Sequence, residues 1–104
     1  MAVKKETTLV KKARVVLLKT VGGKWWKQHT SEFTNRGFPD LMGVVKGQHI
    51  ALEAKIGDNE LTTLQEYHLA QFKKNGSITG EFSTVKEAVK IVTKGLKKRG
   101  ILWQ

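Results

Sequence analysis

Apolar residues recur at helical spacing early in the chain: Leu9, Val10, Ala13 and Leu17 line one face of a segment predicted helical over 5–20, and Gly22-Gly23 ends it. Glu6 falls on the same stripe, three and four residues before Leu9 and Val10, which sets a carboxylate on the side meant for the core. A strand is predicted over 24–30, where Trp25 and Trp26 must face opposite sides, so at least one indole should be buried. A polar loop over 31–39 follows, carrying Asn35, Arg36 and Gly37. Two apolar-rich runs, 40–45 and 49–55, are joined by Lys46-Gly47-Gln48 and read as a hairpin with glycine at the centre of its turn. A second helix is predicted over 61–74 from the period of Leu61, Leu64, His68, Leu69 and Phe72, closed by Asn75-Gly76. His68 on that stripe is expected as a core histidine and His49 at an exposed turn. A strand over 77–82 leads into a third helix, where Thr84 and Glu87 have capping-box spacing and Val85, Ala88, Val89 and Val92 form the apolar face. The order is α-β-β-β-α-β-α, an α/β fold with a mixed sheet flanked by helices.

At 104 residues the chain has room for a single domain, 1–104. No apolar run approaches the roughly 18 residues of a spanning helix, and the first residues lack a secretory pattern, so a cytoplasmic protein with no membrane partner is expected. Absence of Cys excludes disulfides, thiolate zinc sites and a thiol nucleophile. Lys and Arg number 19 against 9 Asp and Glu, a net charge of +10 that points to a polyanionic partner, by default nucleic acid. The stretch 94–104 is expected as a basic C-terminal tail, with Lys94, Lys97, Lys98 and Arg99 as phosphate contacts. It is too short and glycine-broken for a membrane-surface helix.

Side chains alternate along the strand over 49–55, so Ile50, Leu52 and Ala54 share an apolar face while Ala51, Glu53 and Lys55 share the other. The hairpin partner begins at Asp40, directly after Pro39, so Asp40, Glu53 and Lys55 can converge. A hard cation such as Mg²⁺ takes oxygen ligands, commonly one or two carboxylates with water and substrate phosphate. Asp40, Glu53 and the Ala54 carbonyl would supply them, and Lys55 would orient a water or neutralise charge on a scissile phosphate. In outline this is a phosphodiesterase site.

Arg36-Gly37-Phe38-Pro39-Asp40-Leu41, then Glu53-Ala54-Lys55, then Thr62 and Gln65 resemble the PD-(D/E)xK nuclease superfamily, with its restriction-endonuclease-like core, and within it the virus-type replication-repair nuclease (VRR-NUC) domain. The resemblance runs from Glu6 to about Val92. It implies that Asp40 and Glu53 are metal-binding acids, Lys55 the catalytic lysine, Glu6 the helix-borne acid completing the metal site, and Gln65 a supporting glutamine. Gly37 would let backbone pass close to metal or phosphate. Gln65 also has capping-box spacing to Thr62, and the two roles are compatible. The implied activity is Mg²⁺- or Mn²⁺-dependent hydrolysis of DNA, without an organic cofactor, by a phage-type stand-alone domain. Branched DNA such as Holliday junctions is the expected substrate, with Arg36 among the DNA contacts. A homodimer is expected from that resemblance, from the small core and from the apolar Ile101-Leu102-Trp103. Alternatives are a flap or sequence-specific nuclease of the same superfamily, or a non-catalytic basic DNA-binding protein.

Overall fold

In a computed structural model of the protein, residues 2–28 and 36–103 are described, with side chains from residue 6 onward in the first helix. The elements are α1 (Ala2–Val21), β1 (Lys24–Lys27), β2 (Leu41–Val45), β3 (Gln48–Ala54), α2 (Thr63–Lys74), β4 (Ile78–Phe82) and α3 (Val85–Lys98). This is the predicted order. The four strands form one sheet in the order β1-β2-β3-β4, antiparallel until the parallel β3–β4 pair, which the α2 crossover requires. The expected extension of β1 to Thr30 and the loop over 31–35 with Asn35 lie outside the described residues.

One face of the sheet carries the core. Val10, Ala13, Leu17 and Val21 of α1 and Ala88, Val92 and Leu96 of α3 pack with Leu41, Ile50, Leu52, Ile78 and Phe82. Trp25 lies across Gly43, its partner in the β1–β2 register, and a Cβ on Gly43 would stand 2.3 Å from the indole. The Trp25 Nε1–H donates to the Gly22 carbonyl at 2.8 Å, so the ring is buried without an orphaned donor. The α2 helix lies over β3 and β4 on the other face, where Phe72 stacks on His49 at 5.3 Å. The internal strand β3 is therefore covered on both sides, and the face that carries Ala51 and Glu53 is buried at both residues.

Other expectations are corrected. The hairpin turns through two residues, Lys46 and Gly47, both with positive φ (49° and 86°), rather than three. Lys94, Lys97 and Lys98 belong to α3 and Arg99 is its C-cap, so the basic segment is helix and not tail: Leu96 continues the buried stripe of Ala88 and Val92. Ile101 and Trp103 pack back on the core, leaving Leu102, 80% exposed, as the free remnant of the apolar C-terminal segment. His49 is half-buried, its Nδ1 2.7 Å from the Ser77 hydroxyl, and does not sit at an exposed turn. His68 is half-buried against Phe38, with ring centroids 4.5 Å apart.

Candidate active site

Residues 40 and 53 oppose one another where the β2–β3 ladder ends, because the register pairs Leu41 with Leu52. Each carboxylate reaches the other strand's backbone. The Asp40 N–H donates to Glu53 Oε1 at 2.9 Å, and the Ala54 N–H donates to Asp40 Oδ2 at 2.9 Å. Asp40 is also held through its carbonyl, which accepts from the Gln28 N–H at 2.8 Å. Pro39 is buried just ahead of it and fixes the entry of the backbone. Three hydrogen bonds thus hold one short acidic residue at the strand end, and such fixation favours a group whose position matters chemically.

Glu53 is 1% exposed and its Oε2 has no hydrogen-bond partner among the described residues. Burial, reinforced by the neighbouring negative charge of Asp40, pushes its pKa up to about 9. Glu6 is half-buried on α1, and its pKa is raised by burial and by the charge of Asp40, so the α1 acid does lie on the side of the strand-end pair. Among the described residues, however, no three His, Cys, Asp or Glu side chains come together closely enough to hold a metal ion by themselves. The structure brings Asp40 and Glu53 together, with Glu6 near enough for charge to act between it and both of them.

Comparison with solved structures now adds the fold relatives. One described as a VRR-NUC domain aligns with a TM-score of 0.66 over 86% of this chain and 95% of its own, at 23% sequence identity. Another, described as a VRR-NUC domain protein, has a TM-score of 0.62 over 85% and 88%, at 14% identity. The chain has the VRR-NUC fold. No protein-family model and no curated protein matches the sequence.

On this VRR-NUC fold the remaining expected site residues separate into two groups. Lys55 follows β3 directly, half-buried, with its N–H donating to the Phe82 carbonyl at 2.9 Å. It therefore emerges at the same strand end as Asp40 and Glu53. Gln65 is engaged in the α2 cap: its Oε1 accepts from the Thr62 N–H at 2.8 Å, and its own N–H donates to Thr62 Oγ1 at 3.1 Å. Arg36 is exposed in the turn before Gly37 and Pro39. Gly37 has φ +75°, and a Cβ there would stand 2.6 Å from Leu64 Cγ, so α2 packing rather than a bound phosphate accounts for this glycine. Lys94, Lys97, Lys98 and Arg99 sit at the other end of the sheet, because α3 runs back from Phe82 until Gly95 packs on Ile78 at the start of β4. Sequence reasoning missed Lys73, which lies across a groove from Lys94 and Lys98. Nothing in the local pattern pairs the end of α2 with the end of α3.

Proposed function

We propose that this domain is a metal-dependent DNA endonuclease that hydrolyses phosphodiester bonds, with branched DNA such as a four-way junction as its substrate. One observation carries the reading: two opposed carboxylates at a strand end, one with a buried and unpartnered oxygen, on a VRR-NUC fold with net charge +10. A buried carboxylate oxygen with no donor is costly unless a cation or a proton completes it. A hard divalent cation suits this donor set, since Mg²⁺ and Mn²⁺ take one or two carboxylates and keep places for water and phosphate. Asp40 and Glu53 would hold it, with the Ala54 carbonyl as a further oxygen.

Such an ion supplies polarisation of a phosphoryl oxygen and a lowered pKa for a nearby water. The protein's own groups do the rest. The Lys55 ammonium orients the attacking water and balances negative charge building on the phosphate. Glu6 serves as an outer acid that orders water near the pair, and Gln65 supports the site from the start of α2. Arg36 holds the phosphate backbone beside the cut. The water attacks in line with the departing oxygen, and the products are two DNA ends. A homodimer would place two such sites on the two halves of a junction.

The test is incubation of wild type with labelled four-way junction, flap and linear duplex, each with Mn²⁺ or with chelator. Cutting that requires metal and is fastest on the junction is expected. Binding to all three without any cutting overturns the nuclease reading and leaves a basic DNA-binding domain. Faster cutting of flap or linear DNA replaces the junction as substrate.

A further inference from the structure

Strand β4 is the last of the sheet, so one of its sides faces no other strand among the described residues and carries backbone N–H and C=O groups outside the ladder. The ends of α2 and α3 flank this edge and leave an open groove of about 320 Å³ between them. Lys73 of α2 lines it together with Lys94, Lys98 and Arg99 at the end of α3, and Ser77 and Thr79 form part of its wall. Among the described residues, no acidic side chain lines it. Ordinary helix-end duties account for part of this set. Arg99 donates one N–H to the Gly95 carbonyl at 3.1 Å, and lysines suit the negative end of a helix. They do not account for cations from two separate helices converging on one groove. Lysines at a sheet edge also oppose pairing with another strand, which leaves an anion as the fitting occupant.

The groove is remote from the acids. In the parallel register Ile50 pairs with Ile78 and Ala54 with Phe82, so the start of β4 lies four residues from the strand end that carries Glu53. At the rise of a strand that is about 13 Å, or roughly four phosphates along one DNA strand. We propose that this groove is a second phosphodiester-binding site, which anchors nucleic acid away from the cut. The proposal rests on the nucleic-acid reading given above but not on cleavage. Free inorganic phosphate shares the chemistry, so the test separates the two sources.

Binding of labelled duplex is measured in chelator against salt for wild type, for Lys94→Ala/Lys98→Ala, and for a control of equal charge change, Lys12→Ala/Lys19→Ala on α1. All four lysines are exposed helix positions, where Ala is well tolerated. The groove variant is expected to bind about tenfold or more weakly at low salt, with the log–log salt slope reduced by about two, while the control changes much less. Phosphate titration, followed by amide shifts, is expected to perturb Ser77, Thr79 and Gly95, and duplex to perturb the same amides at far lower concentration. Unchanged binding, or equal losses in the two variants, overturns the proposal. Perturbation by phosphate but not by duplex overturns it in favour of a small-anion site. A wild type that binds through the groove and never cuts with Mn²⁺ overturns the nuclease reading and leaves the groove standing.

Discussion

Glu53 sits near the end of the internal strand β3 with one oxygen accepting from the Asp40 N–H and the other unpartnered among the described residues, and its pKa of about 9 means that the metal-free protein keeps it protonated at neutral pH. Between the ordinary value of 4.5 and 9 the folded state binds more protons at this group than the unfolded state. Its stabilising contribution is therefore complete below pH 4.5 and is lost as pH rises through 9. His49 works oppositely: burial lowers its pKa, so its contribution is present above 6.5 and fades as pH falls. Glu53→Gln keeps an acceptor for the Asp40 N–H and removes the titrating group. In chelator this variant is expected to melt higher than wild type at pH 8, with the difference shrinking toward pH 5, as followed by circular dichroism. Mn²⁺ should raise the melting temperature of wild type and leave that of Glu53→Gln nearly unchanged. Asp40, Glu53 and Lys55 were legible as a group because a hairpin register and strand alternation are local rules. The unpartnered oxygen was not, since it depends on the tertiary packing that buries Glu53.

At the scale of elements, α2 rests on its ends, for none of its residues is fully buried and Leu64 and Tyr67 are 41% and 55% exposed. Its capping box of Thr62 and Gln65 therefore matters, and Thr62→Ala is expected to cost about 1 kcal/mol by urea denaturation. Glu is the other residue that closes such a box. Gln65→Glu is expected to keep the melting temperature while slowing cleavage, whereas a purely structural glutamine would show neither change. Where Gly37 meets Leu64, Gly37→Ala is expected to cost about 1–2 kcal/mol from its left-handed backbone alone, and to slow cleavage by moving the turn that leads into Asp40. The helical and strand periods made all seven elements readable. The end of α3 is less legible, because four basic residues in six have the composition of a solvated tail although Leu96 among them continues the apolar stripe.

Across the whole molecule, the cations are divided among several surfaces: Lys12 and Lys19 are exposed on α1, Lys55 leaves β3 at the strand end of the acids, and Lys73, Lys94, Lys98 and Arg99 line the groove at the start of β4. No described helix is long and apolar enough to cross a membrane. Net charge could be read directly from the sequence, but its division could not, because Lys73 meets Lys94 only through the packing of α2 and α3 around an edge strand. Likewise the Ser77 partner of His49 is 28 residues away. The central claim is that Asp40 and Glu53 carry a metal-dependent cut. Its most direct test is cleavage of labelled four-way junction by wild type, Asp40→Asn and Glu53→Gln with Mn²⁺, with binding read from the same samples. Cutting by wild type that falls at least about a hundredfold in both variants while binding persists is the expected result. Variants that cut at the wild-type rate, or a wild type that binds and does not cut, would contradict it.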